Sequence, residues 1–90
     1  PPMRYAMICT DKPGHLEVRK ANRDAHVAYL RDTGAEMAGP FLDAGGDMCG
    51  SLVVIDVETR QEAETWAAND PYAKAGLFAD VRIEAWNKVI

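Results

Sequence analysis

The sequence is informative first through what it lacks. It has no glycine-rich loop of the kind that cradles phosphates and no Cys-x-x-Cys pair, so no nucleotide site or thiol redox motif is indicated. No apolar run approaches the ~18 residues of a transmembrane helix. Basic residues are few, with 10 Lys and Arg against 14 Asp and Glu and a net charge of −4. This balance argues against nucleic acid and against an anionic membrane surface as partners.

Histidine and cysteine are equally scarce. The two histidines, His15 and His26, have no Cys or carboxylate at ligand spacing, so we expect no metal site. Nothing in the sequence indicates a bound cofactor. The two cysteines, Cys9 and Cys49, lie in apolar runs and are expected to be buried thiols. With no export signal in the sequence, they favour a reduced, cytoplasmic protein.

Turn and cap signals divide the chain into successive elements. Residues 15–33 contain no Pro or Gly, and Gly34 follows them directly. A glycine just after the last residue of a helical pattern is a common helix C-cap. Thr59 and Glu62 have capping-box spacing, and Asp70 precedes Pro71, which disfavours helix there. We therefore predict, in order, a strand over 5–9, a helix over 15–33, a short strand over 35–40, a hairpin or loop over 41–50, a strand over 51–57, a helix over 59–69, a turn or short helical piece over 71–76, and a strand over 77–89.

The order β-α-β-β-α-β predicts an α+β, ferredoxin-like fold in a single domain over 1–90. Its antiparallel sheet would carry both helices on one face. On the other face, one alternating set of Val and Ile from 51–57 would stay exposed to water in a monomer. Because this set is apolar, we expect a homodimer in which two sheets pack face to face.

The first helix directs polar side chains inward. At about 100° per residue, Lys20 and Asp24 lie opposite His26 and mark the solvent side, so His26 lies at the middle of the inward face. Arg19 lies within about 40° of His26, and Arg23 a little further round. Burying unpaired polar groups costs roughly 1–3 kcal/mol each, so these side chains either pair or line a solvated pocket.

The second helix ends with another inward acidic group. Ala63, Trp66 and Ala67 define its inward face, and Asp70 follows one turn beyond Trp66. Asp70 and His26 could therefore meet above the sheet. A carboxylate paired with an imidazole orients the ring and raises its basicity, which makes the pair a candidate general base.

Each of these residues has a structural alternative. His26 could be a hydrogen-bonded core histidine, and Asp70 a helix stop before Pro71. The two arginines could extend along the surface with only their stems covered. Tyr72 could be a core aromatic residue and Ser51 an ordinary strand residue.

Several short motifs occur together in a characteristic order. They are Arg19-x-x-x-Arg23-x-x-His26-x-x-Tyr29-Leu30, Ala38-Gly39-Pro40, Gly50-Ser51 and Asp70-Pro71-Tyr72. Over about residues 4–88, the chain resembles the YciI-like family. That family is similar in fold to muconolactone isomerase, a dimeric α+β barrel. The resemblance implies a His–Asp active-site pair, which maps onto His26 and Asp70.

The resemblance also implies roles for neighbouring residues. Arg19 or Arg23, together with Ser51, would hold the oxygens of a substrate, since arginine suits a phenolate or carboxylate. Tyr72 would wall the pocket or donate a hydrogen bond. The segment over 41–50 is shorter than in many members, so the shape of the pocket could differ here.

Two classes of function follow as expectations. The first, which the resemblance implies, is a small, cofactor-free lyase or isomerase that would dehydrochlorinate a chlorinated hydroxylated aromatic such as a chlorohydroxyhydroquinone or isomerise a muconolactone-like substrate. The second is a non-catalytic module that binds a small molecule in the same pocket. An accessory domain without any ligand is a weaker third alternative.

Overall fold

The computed structural model describes all 90 residues and confirms the ferredoxin-like α+β fold. Four antiparallel strands form one sheet in the order β2-β3-β1-β4. The elements in chain order are β1 (Met3–Asp11), α1 (Leu16–Asp32), β2 (Met37–Leu42), β3 (Met48–Val57), α2 (Arg60–Asn69), α3 (Pro71–Lys74) and β4 (Phe78–Trp86). The segment after Pro71 is thus a short helix, and the helices lie on one side of the sheet.

The end of α1 explains why β2 begins later than predicted. Gly34 adopts a left-handed φ of 70°, which glycine tolerates without steric cost. The Ala35 N–H then donates to the Leu30 carbonyl at 2.9 Å and closes the end of the helix. Because Ala35 belongs to this cap, the strand cannot start at residue 35 and begins at Met37 instead.

The hairpin between β2 and β3 is tighter than predicted. The Asp43 Oδ1 atom accepts the backbone N–H groups of Gly45 at 2.9 Å and Asp47 at 3.0 Å. These bonds confine the turn to a few residues, so β3 already begins at Met48 rather than at residue 51.

Strand β2 lies at the edge of the sheet and contains Pro40. Proline has no backbone N–H, and an edge strand tolerates this because its outer side pairs with no other strand.

The apolar core lies between the sheet and α2. Met7, Cys9 and Val53 are buried from the strands, and Ala63 of α2 is fully covered. The prediction that both cysteines are buried is wrong for Cys49, which is half-buried beside the tight hairpin. Whereas α2 packs onto three strands, the main neighbour of α1 is α3, and this leaves space between α1 and β2.

The second face of the sheet carries no helix. Strand alternation points Ile8 and Leu52 away from the core residues, and they face each other across the β1–β3 pair. Met37 and Phe41 of β2 lie on the same face and are 41% and 40% exposed.

The prediction that Val and Ile from 51–57 are exposed on this face is wrong, because Val53 and Ile55 lie in the core and Val54, on the outer face, is only 2% exposed. The exposed apolar residues of the face come from β2 instead, and the homodimer stays a prediction. None of the helices has both the length and the apolar character that a membrane span requires.

Candidate active site

The first contribution to the site comes from α1. Arg19 and His26 are buried in this helix, with 2% and 6% of their surface exposed. They lie about two helical turns apart and therefore on the same face. Arg23 lies between them along the chain but is exposed at the mouth of the space beneath α1. The inward direction predicted for His26 and Arg19 is thus observed.

The second contribution comes from the junction between α2 and α3. Asp70 has φ −60° and ψ 128°, because the following Pro71 disfavours helical backbone. This bend ends α2 and turns the Asp70 carboxylate inward. There it accepts the Tyr72 N–H at 2.9 Å and caps α3, with Pro71 at the first helical position. The structural alternative for Asp70 is therefore also true: it is a helix cap.

The same carboxylate oxygen meets the imidazole. The His26 Nδ1 and Asp70 Oδ1 atoms lie 2.8 Å apart, and both side chains are buried. An ionised carboxylate only accepts, so Nδ1 donates and the lone pair of the neutral ring is on Nε2. No protein group bonds Nε2, and no fully buried polar side-chain atom lacks a partner, so Nε2 faces accessible space. This is the arrangement of an oriented proton acceptor.

A buried ion pair lies near this dyad. The Arg19 Nε and Nη2 atoms donate to the two carboxylate oxygens of Asp11 at 2.7 and 2.8 Å. Nη2 also donates to the Ser51 hydroxyl at 2.9 Å. Burial acts to lower the pKa of Arg19, but the hydrogen bonds and the charge of Asp11 outweigh it and hold that pKa above its ordinary value. Arg19 is therefore a fixed cation.

Tyr72 joins the dyad to the ion pair. Its ring stacks on His26 with centroids 3.9 Å apart and an interplanar angle of 16°. The Arg19 guanidinium carbon lies 4.7 Å from the Tyr72 ring centroid, and Phe78 meets the ring edge-on at 6.0 Å. Burial raises the pKa of Tyr72, and the nearby Arg19 charge only partly offsets this. The phenol therefore stays protonated near neutral pH.

These side chains surround a cavity of about 130 Å³ between α1 and the β2–β3 edge. A dry engineered cavity of about 150 Å³ binds benzene, so the space suits one six-membered ring. The wall combines charged or polar groups with apolar ones. Its residues are Arg19, Arg23, His26, Val27, Leu30, Ala38, Gly39, Pro40, Met48, Ser51 and Tyr72.

The structure brings all six predicted site residues together. Five of them line the cavity, and Asp70 lies outside it, where it accepts a hydrogen bond from His26 Nδ1. Sequence reasoning missed Asp11 as the partner of Arg19 and the apolar wall formed by Val27, Leu30 and Met48. The turn signals after residue 9 lead to a strand prediction that ends too early, whereas β1 continues to Asp11. Its spacing from Met7 and Cys9 places it on the side that faces the helices. The apolar wall reads in the sequence as ordinary core.

Fold and site together define an α+β protein with a His–Asp pair over a ring-sized cavity. The family model described as "YCII-related domain" matches residues 3–87, and the chain belongs to that family. An uncharacterized protein from Haemophilus influenzae is 38% identical over 97 residues, which cover 97% of this chain and 99% of the relative. Protein YciI from Escherichia coli is 35% identical with the same coverage. Both alignments are longer than this chain, so the relatives contain residues without a counterpart here.

One solved structure is similar in both sequence and fold. It is the 5-chloro-2-hydroxyhydroquinone dehydrochlorinase TftG from Burkholderia phenoliruptrix AC1100, in complex with 2,5-dihydroxybenzoquinone. Its TM-score to this chain is 0.89, with 38% sequence identity and 94% of each chain covered.

Proposed function

We propose that this chain is a lyase that moves protons on a hydroxylated six-membered ring, with dehydrochlorination of a chlorinated hydroxyhydroquinone as its reaction. Muconolactone-type isomerisation, in which a base moves one proton between carbon atoms of a lactone and no chloride is lost, is the variant of this proposal. The observation that carries it is the free Nε2 atom of His26, which is oriented by Asp70 and faces a ring-sized cavity. The similarity to a dehydrochlorinase supports the choice of substrate class.

Loss of HCl from such a ring requires two proton removals and one proton delivery. A base takes the proton from the hydroxyl next to the chlorine, and the ring carbon that bears the chlorine gains a proton. The hydroxyl para to the first then loses its proton and becomes a second carbonyl. The ring double bond shifts toward the carbon that bears the chlorine, and chloride leaves with the electron pair of its bond. The product is a hydroxyquinone with hydrogen in place of chlorine, and no external oxidant is consumed.

The cavity offers a group for each need. His26 Nε2 accepts the first hydroxyl proton and returns it to the ring carbon, because an imidazole serves as both base and acid. This step leaves the imidazole neutral again, and the second hydroxyl proton then passes to Nε2 or to water as chloride departs. Arg19, Arg23 and Ser51 would hold the developing oxyanion, which is stabilised best by donors already in place. Tyr72 lies against the imidazole and is still a phenol, so it can donate a further hydrogen bond.

The test measures chloride release and quinone absorbance with 5-chloro-2-hydroxyhydroquinone under anaerobic conditions. We expect His26→Gln to lower kcat by about 10²- to 10⁴-fold, the usual contribution of a general acid–base group. His15→Gln is the matched control, since this second histidine lies at the start of α1 and bonds only the Pro13 carbonyl. It should keep wild-type activity.

Three results would separate the alternatives. Wild-type turnover by a folded His26→Gln variant would contradict the proposed role of His26. Ligand binding without any chloride or isomerised product would favour the non-catalytic binding module. Unfolding of His26→Gln, seen by circular dichroism, would favour a structural histidine, and His26→Asn would then serve as the second variant.

A further inference from the structure

Asp11 is the residue of this cluster that no sequence motif marks. It ends β1, just after the register shift between Thr10 and Asp11 in the pairing with β4. Strand alternation places Asp11 on the same face as Met7 and Cys9, toward the helices, where both of its carboxylate oxygens accept from Arg19. Only 7% of the Asp11 side chain and 3% of the Arg19 side chain are exposed. The pair is therefore shielded from water and fixed in a bidentate geometry.

The Asp11–Arg19 pair also contacts Ser51, the single serine of the chain, through the Arg19 guanidinium. Arg19 Nη2 donates to the Ser51 oxygen, so Ser51 acts as an acceptor in that bond. A hydroxyl carries one donor proton and two acceptor sites. The Ser51 proton is therefore not used by Arg19, and Ser51 lines the cavity. Its proton is available to a ligand oxygen there.

We propose that Asp11 is a positioning residue, which fixes the Arg19 guanidinium and, through it, directs the Ser51 hydroxyl proton into the cavity as part of a site for a ring oxyanion. This inference rests on the proposed function and specifies how the substrate oxygen is held. With both oxygens of Asp11 engaged, Arg19 cannot turn toward the mouth of the cavity. Arg23, whose side chain is 61% exposed and lies 4.0 Å from Asp24, is the second cation that completes the site from the mouth of the cavity.

The test uses isothermal titration calorimetry with 2,5-dihydroxybenzoquinone. Its hydroxyls are vinylogous acids and ionise readily, so it presents ring oxyanions, and its binding can be measured without any reaction. We expect Ser51→Ala to raise the Kd roughly tenfold, the loss of one hydrogen bond to a charged group. Asp11→Asn should raise the Kd at least as much. The double variant should match Asp11→Asn within about twofold, because both changes act on one chain of contacts. Asp80→Asn, at an exposed position of β4, is the matched control and should leave the Kd unchanged.

A merely structural role predicts a different pattern. It would lower the melting temperature and the fraction of active protein, whereas the Kd and KM of the folded fraction would stay the same. If Asp11→Asn does not fold, Asp11→Glu replaces it, because it keeps the buried pair charged while the longer side chain displaces the guanidinium. The same loss of affinity is expected.

The outcomes distinguish this inference from the proposed function. A folded Ser51→Ala variant that binds within twofold of wild type would overturn the inference, as would independent, additive losses in the double variant. Absence of binding to the wild-type protein would overturn it too. Binding with the expected losses but without chloride release would contradict the proposed reaction and leave the oxyanion site supported.

Discussion

At the scale of single residues, Asp70 has two tasks that can be separated. One carboxylate oxygen caps α3 through the Tyr72 N–H and also holds His26 Nδ1. Asn caps a helix about as well as Asp, but it lacks the negative charge that stabilises a protonated imidazole. The cap and the chemistry should therefore respond differently to the same substitution.

We predict that Asp70→Asn lowers kcat at least tenfold with little change in melting temperature. Asp70→Ala should lose the activity and also more than about 1 kcal/mol of stability, because it removes the N-cap and leaves the buried His26 Nδ1 without its acceptor. Thermal unfolding and chloride release, measured on the same preparations, check this. Equal kcat for Asp70→Asn and wild type would show that the carboxylate serves only as a cap.

The two cysteines provide a test of burial. Burial, with a smaller contribution from the charge of Asp70, raises the pKa of the Cys9 thiol to about 12. Cys9 is therefore an unreactive thiol at pH 8, since the thiolate is the nucleophile. Cys49 is half-buried and bonds weakly to the Phe41 carbonyl at 3.6 Å.

We predict that iodoacetamide at pH 8 modifies the native protein once, at Cys49. Cys49→Ser should take up no label until the protein is unfolded, and Cys9 should then react. Intact-mass spectrometry before and after addition of denaturant measures both states. Labelling of Cys9 in the folded protein would contradict the packing described for the core.

At the scale of elements, two adjacent strands approach closely at Gly50. A Cβ added there would lie 2.3 Å from the Cys9 carbonyl oxygen, which is backbone and cannot move aside alone. Gly39 is the contrast, because a Cβ there meets nothing within 4 Å. The pairing of β1 with β3 thus depends on a missing side chain.

We predict that Gly50→Ala destabilises the fold by about 1–3 kcal/mol, the range for overpacking. Gly39→Ala, on the exposed edge strand, should cost much less. Urea denaturation at equilibrium compares the two. Equal midpoints would show that the strands separate at Gly50 without strain.

Elements also show how far the sequence could lead. The long helix before Gly34 and the bend at Asp70-Pro71 follow from local backbone chemistry, so they could be predicted, and with them the inward directions of His26 and Asp70. The hairpin depends on the Asp43 side chain folding back on its own turn, which spacing alone does not indicate. The Asp11–Arg19 pair is missed because the predicted strand ends at residue 9. Strand β1 continues to Asp11, which alternation places on the helix side with Met7 and Cys9.

At the scale of the whole molecule, one face of the sheet carries no helix and exposes apolar side chains. Ile8 and Leu52 lie at its centre, and Met37 and Phe41 remain exposed at one side. We propose that a second copy of the chain covers this face, as the sequence pattern predicts. Light scattering coupled to gel filtration should then give twice the 9.9 kDa mass of the chain.

Leu52→Lys on this face should shift that mass toward the monomer, because a charge would be buried in the contact. Thr65→Lys, on the exposed surface of α2, is the control and should keep the dimer. A monomeric wild-type protein at concentrations of tens of micromolar would contradict the proposed pairing.

The central claim is that His26 transfers protons between a ring hydroxyl and a ring carbon in the cavity. Deuterium exchange into unchlorinated hydroxyhydroquinone in anaerobic D₂O, followed by proton NMR, tests this step without any leaving group. We predict that the wild-type protein and His15→Gln accelerate exchange at the ring carbon that corresponds to the chlorinated position, whereas His26→Gln leaves exchange at the uncatalysed rate. Exchange that is equally fast with folded His26→Gln, or no acceleration by the wild-type protein, would contradict the account.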